Sequence, residues 1–247
     1  MWTDRVRVLD DVSPAEWLTG ELLDASTVIP RSFEAYARVL HPVEFQDRRH
    51  PATMRWSEVA ALLGRRVHPT TRWHDLIGTP SRYERNSEAL PGAYPAWGNL
   101  AVTPLRALCD VLASHTDTPD DCLFAVWSGW GWLSGGTARV SLTTDGGVPA
   151  EPLMTAAELA APRLRLPGRN YFLLQGPISA MGELVHYDGP GRWAQSPSLF
   201  WPADRAWCVA TEIDLDSTFV GGSADTISSV LASPELETLP FKVTDLL

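Results

Sequence analysis

At 247 residues and 27.1 kDa, with 45% apolar and 20% charged residues, the chain has ample material for a hydrophobic core, which argues against a disordered polymer. A net charge of −10 and a pI near 5.0 argue against nucleic acid or an anionic membrane as partner, because both need a cationic face. A basic small molecule or protein surface suits that field better.

The elements follow in chain order. Ser13-Pro14-Ala15-Glu16 has the form of a capping box and starts a helix running to about Leu23. Pro30 opens a second expected helix, with Phe33, Tyr36, Ala37 and Leu40 at helical spacing, ended by His41-Pro42. A third is expected from about Ser57 to Leu63, with Gly64 as its C-cap. From Val67 to Leu100 the chain is irregular and rich in Pro, Gly and Trp, too long for a simple connection. Thr103-Pro104 begins the clearest helix, whose Leu105, Leu108, Cys109 and Leu112 share one face.

After Leu112 the texture changes to strands. Cys122–Trp127, Tyr171–Gln175, Leu184–Tyr187 and Ala206–Leu215 are strand candidates, with Ser217–Val220 as a short continuation. Segment 137–162 is expected to be an insertion or linker. Ser223 caps a last helix over Ile227, Val230 and Leu231, ended by Pro234. The expected fold is therefore α+β over 1–247, a helical N-terminal half packed on a mostly antiparallel sheet from the C-terminal half.

Three cysteines, at 109, 122 and 208, with no CxxC pair make no disulfide framework and lead us to expect a reducing, cytoplasmic setting. No apolar leader is visible, and no apolar run approaches the about 18 residues of a membrane span. We expect no cofactor and no metal. The six histidines never fall in HxH, HExxH or HxxxH spacing. Gly129-Trp-Gly131 and Gly135 have the wrong spacing for a dinucleotide loop, and tryptophan would obstruct a pyrophosphate there.

Asp214-Leu215-Asp216-Ser217-Thr218 matches the DxDx[TV] phosphotransferase signature, but Thr211 and Glu212 interrupt the apolar strand that should precede it, and Lys242 is the chain's lone lysine. Read instead as a strand from Ala206 to Leu215, the segment puts Glu212, Asp214 and Asp216 on one face. A solvated strand face and a cation- or Arg/Lys-recognising surface both fit that pattern. Trp201-Pro202-Ala203-Asp204-Arg205 reads as a tight turn, with Arg205 either clamping it or aimed at an anionic ligand. Trp127 and Trp130 are candidates for lining an apolar pocket or partner surface.

The blocks Pro30–Pro42, Arg55–Ala60, Phe124–Gly131, Arg169–Pro177 and Ser196–Ser223 resemble a protein family of high-GC Gram-positive bacteria for which no activity is established. That resemblance implies no catalytic residue. A fainter similarity is to the SMI1/KNR4 (SUKH) immunity-type domains, in which a helix with a Pro-x-x-Phe/Tyr start precedes a sheet. The expected function is non-catalytic binding, through Glu212, Asp214, Asp216, Arg205, Trp127 and Trp130, of a protein or small molecule of basic character. The alternative is a carboxylate-dependent hydrolase or transferase, with or without a metal.

Overall fold

The computed structural model describes residues 4–24, 26–45, 53–84, 88, 90–135, 153–183, 185–188 and 191–244. The strands are β1 (Arg7–Val8), β2 (Ala35–Leu40), β3 (Val43–Phe45), β4 (Ala93–Pro95), β5 (Cys122–Trp127), β6 (Leu164–Leu166) and β7 (Arg169–Gly176). They continue as β8 (Val185–Asp188), β9 (Gly191–Ala194), β10 (Leu199–Pro202), β11 (Trp207–Ala210), β12 (Ser217–Gly222) and β13 (Thr238–Phe241). The α-helices are α1 (Trp17–Glu21), α2 (Trp56–Leu62), α3 (Trp73–Ile77), α4 (Val102–Ala113), α5 (Ala156–Ala160) and α6 (Ala224–Ala232).

One antiparallel sheet of nine strands organises the molecule, in the order β1-β7-β5-β10-β11-β12-β2-β13, with β6 sharing an edge of β7. Its two faces carry separate cores. Phe124, Phe172, Phe200, Trp207 and Val220 pack with Leu105, Leu108 and Leu112 of α4 and with Ile227 and Val230 of α6 on one side. Leu123, Tyr171, Leu199, Trp201, Cys208 and Phe219 pack with Leu18 of α1 and with Ile29 on the other. A third cluster joins Leu40 and Val43 to Trp56 and Val59 of α2 and to Trp73 and Leu76 of α3.

The fold is α+β, and strands come early as well as late: β1 and β2 precede the first long helix, and β2 lies inside the sheet between β12 and β13. The helix expected from Pro30 is therefore strand β2. Its residues Tyr36 to Leu40 form an unbroken buried run, because both sides of the sheet are covered, and such a strand loses the alternation that marks a half-exposed one. The N-terminal helix is shorter than expected, a 3₁₀ turn at Ser13–Ala15 followed by α1. There the Ser13 N–H and hydroxyl donate to Asp11 in place of a capping box.

Helices α2, α4 and α6 and strands β5 and β7 lie where their patterns place them. Gly64 adopts the left-handed φ of 63° after α2, and the Ser223 hydroxyl accepts the Thr226 N–H at the start of α6. The irregular stretch 67–100 holds α3 and β4. Of the expected insertion 137–162, residues 137–152 lie outside the described residues. The rest carries α5, opened by a Thr155/Glu158 capping box, and buries Met154 and Leu164 is next to enter the sheet. Among the described residues no helix is long and apolar enough to cross a membrane.

Candidate functional site

The expected strand Ala206–Leu215 ends at Ala210. Within it the side chains alternate as expected, Trp207 and Val209 to one core and Cys208 and Ala210 to the other. Both faces are apolar, so this strand has no acidic face. Glu212, Asp214 and Asp216 lie on the loop from β11 to β12, where polar residues interrupt the apolar run.

That loop is pinned at both ends and at its tip. The Thr211 N–H donates to the Ser198 carbonyl at 2.7 Å, and the Leu215 carbonyl accepts the Gly98 N–H at 2.8 Å. Gly98, with φ of 63°, lies directly against the Ile213 backbone. Beneath the loop runs a buried chain of hydrogen bonds from Thr211 Oγ1 to Thr218 Oγ1 (2.8 Å) to His41 Nε2 (2.9 Å), with His41 Nδ1 2.7 Å from the Ala96 carbonyl. The carbonyl can only accept, so Nδ1 carries the proton, Nε2 accepts from Thr218, and Thr218 accepts from Thr211. Burial, the main cause, holds the His41 imidazole down to about 4.

Arg169 gathers two of the three acids. It opens β7 after the Pro167-Gly168 turn, where Gly168 takes a φ of 80°. Its Nε and Nη2 donate to the same Glu212 Oε1 at 2.9 and 2.6 Å, and Nη2 also reaches Asp214 Oδ2 at 2.6 Å. Burial works to lower the Arg169 pKa, but the hydrogen bond and charge of Glu212, then those of Asp214, outweigh it and hold it above its ordinary value. The guanidinium stands 5.4 Å from the Trp127 ring centre, and Trp127 meets Trp130 edge to face at 5.2 Å. Glu212, Asp214 and Trp127 are thus brought together through a residue that the site reading of the sequence left out.

Asp216 goes elsewhere. It lies 3.5 Å from Nη2 of Arg38, which is 2% exposed. Arg38 also donates to Ser217 Oγ and to the carbonyls of Pro69 and Thr71, tying β2 to the 69–71 loop. Arg205 is separate again: its φ is 57°, its guanidinium lies 5.3 Å from the Trp17 ring, and it lines no part of the cleft described next. The turn itself is held by Asp204, which accepts from Thr116, Asp117 and Ala206.

Glu212, Asp214 and Arg169 form part of the wall of a cleft of about 620 Å³. That lies within the usual range for small-molecule sites, roughly 300–1,000 Å³. Ile29, Leu166, Leu199, Leu215 and Phe241 are among its apolar lining residues, and Arg31, Arg82, Tyr171, Asp24 and Ser198 among its other polar ones. Tyr171 is 6% exposed, and its hydroxyl makes no hydrogen bond among the described residues. Burial first, and the charge of Glu212 second, push its phenol well above the ordinary range, so it remains a donor. A smaller cavity of about 70 Å³ shares Arg82, Asp214 and Leu215 with the cleft and takes in Arg38 and Asp216.

The cleft residues Arg31, Arg82, Arg169 and Tyr171 carried no motif. The one available signal was an arginine beside a Gly turn at the head of an apolar strand. Among the described residues no group of three or more His, Cys, Asp or Glu could hold a metal ion. Comparison with protein-family models, with curated proteins and with solved structures gave no match.

Proposed function

We propose that this protein binds a small ligand in the cleft walled by Arg169, Glu212 and Asp214. The observation that carries the proposal is the cleft itself, about 620 Å³ and lined by aliphatic residues together with polar groups that include the Arg169, Glu212 and Asp214 cluster. Glu212 and Asp214 already hold Arg169, so a basic partner gains less from them than an open acidic face would offer. The ligand is small because the acids sit inside a concavity. The three free, buried thiols suit a reducing, cytoplasmic setting.

The test is a thermal-shift screen of a fragment library against the wild type and Val243→Trp, a substitution at a half-buried lining position that puts an indole ring in place of a small side chain there and narrows the cleft. A ligand that binds only the folded state raises the melting temperature by an amount that grows with the logarithm of its concentration relative to Kd. Hits that stabilise the wild type and lose their effect in Val243→Trp support the proposal. An absence of hits, or hits unaffected by the substitution, would refute it.

A second reading, a carboxylate-dependent hydrolase or transferase, is favoured by the convergence of Glu212 and Asp214 on one wall. It expects Glu212→Gln and Asp214→Asn to abolish turnover of a bound ligand while binding persists, and metal ions to add stability. Binding that is never followed by turnover counts against it.

A further inference from the structure

Two arginines of the cleft lining, Arg31 and Arg82, lack a carboxylate partner among the described residues, whereas the carboxylates of the lining are engaged. Glu212 and Asp214 are paired with Arg169 through one oxygen each, Oε1 and Oδ2. Asp24 is taken by the Ser26 N–H and hydroxyl and by Thr27. Against these, Arg31 makes one long side-chain bond, 3.4 Å to Thr27 Oγ1. Arg82 donates to the Asp214 carbonyl and lies over Tyr83 and Trp97. Among the described residues neither guanidinium has a carboxylate within ion-pair distance, and the Tyr171 hydroxyl is also without a partner.

We infer that the ligand is an amphipathic monocarboxylate, its head group drawn by Arg31 and Arg82 and its tail lodged among Ile29, Leu166, Leu199 and Phe241. This rests on the small-ligand reading of the cleft. Guanidinium groups match carboxylate geometry, and the aliphatic wall asks for a hydrocarbon tail. The charge of the head follows from its surroundings. Dehydration of the head decides between anions, because its cost grows more steeply with charge than the arginines' attraction does. Glu212 and Asp214 on the lining offset part of that attraction, so a single charge is favoured over the two of an alkyl phosphate. The chain's −10 charge opposes anions at long range. At physiological salt, however, that field is screened beyond about 8 Å, and the two arginines decide what is bound inside the cleft.

Decanoate, decanol, decyltrimethylammonium and decyl phosphate, each below its micelle concentration, are titrated calorimetrically into the wild type, Arg31→Gln/Arg82→Gln and Val243→Trp. Decanoate is expected to bind at least tenfold tighter than decanol and tighter than the phosphate or the cation. In the double variant that preference should fall about tenfold or more, the worth of a charge-assisted hydrogen bond, while decanol affinity stays as it was. Unchanged decanol binding also shows that the variant is folded. If the cation or the phosphate binds more tightly than decanoate, or the double variant keeps the full preference, the inference is overturned and the cleft reading stands. If none of the four binds while other fragments enter the cleft, the inference again fails alone. Binding that Val243→Trp leaves untouched overturns both.

Discussion

Gly98 lies against the backbone of Ile213: a Cβ on Gly98 would stand 2.5 Å from the Ile213 Cα and 2.7 Å from its carbonyl oxygen. Because the contact is backbone on backbone, no side-chain rotation relieves it, and a φ of 63° penalises any L side chain further. Gly98→Ala should therefore move the 211–216 loop and cost about 2–3 kcal/mol. Chemical denaturation measures the cost. The same variant should weaken cleft ligands, since Glu212 and Asp214 ride on that loop. A variant as stable as the wild type would show that the latch is slack.

Arg169 and its two carboxylates couple weakly in energy despite their short distances. The groups are only partly buried, and Asp214 is half exposed. Solvent therefore reduces the interaction to about 1 kcal/mol for Arg169 with Glu212. A double-mutant cycle with Arg169→Met and Glu212→Gln, read by urea denaturation, should return that coupling, and it should shrink in high salt. A coupling above about 3 kcal/mol would mean that the pair behaves as a buried one.

Arg38 is the opposite case. Its side chain is buried, and burial lowers its pKa against the opposing pull of Asp216. Four groups hold it in place: Asp216, Ser217 Oγ, and the carbonyls of Pro69 and Thr71. Asp216→Asn removes the countercharge and should destabilise the protein by about 3 kcal/mol, the usual cost of leaving a buried charge unpaired. Arg38→Met should release the 69–71 loop as well, seen as faster amide exchange there. Protection in that loop that survives Arg38→Met would show other contacts to be sufficient.

His41 makes stability depend on pH. Its folded value of about 4 lies below the unfolded value near 6.5. As pH falls, the unfolded chain takes up the proton first. The contribution of the neutral ring is therefore complete above about pH 6.5 and is lost as pH falls toward 4. The full loss is about 3 kcal/mol, from about 1.4 kcal/mol per unit. Denaturation midpoints between pH 7 and pH 4 should fall accordingly, and His41→Gln should flatten that dependence whatever its own cost. A slope that persists in His41→Gln would assign it to another group.

The buried thiols should be inert. Burial pushes Cys122 up to about 12 and Cys109 and Cys208 further still. Native protein should resist alkylation at neutral pH and react fully once unfolded, because the thiolate is the reactive form. Mass spectrometry after iodoacetamide treatment decides it.

What the sequence determined by itself is the set of elements with local causes. The stripe Leu105, Leu108, Cys109 and Leu112 makes α4, Ser223 starts α6, Gly64 stops α2, and the apolar run Cys122–Trp127 makes β5. Each depends on residues within a turn or two of one another. Only the tertiary structure decided the rest. Tyr36 to Leu40 is a strand because β12 and β13 flank it and both its faces are covered, against a spacing that also fits a helix. At the N-terminus of α2 the Trp56 and Ser57 N–H groups donate to the carboxylate of Glu237, some 180 residues away. Trp201 to Thr218 was legible as a place of interest, and its three acids do lie together in sequence. Their roles were set by Arg169 and Arg38, which the sheet brings from 43 and about 180 residues away. Sequence spacing carries no trace of such pairings, because they depend on strand order across the sheet, and strand order is fixed by the packing of the whole chain.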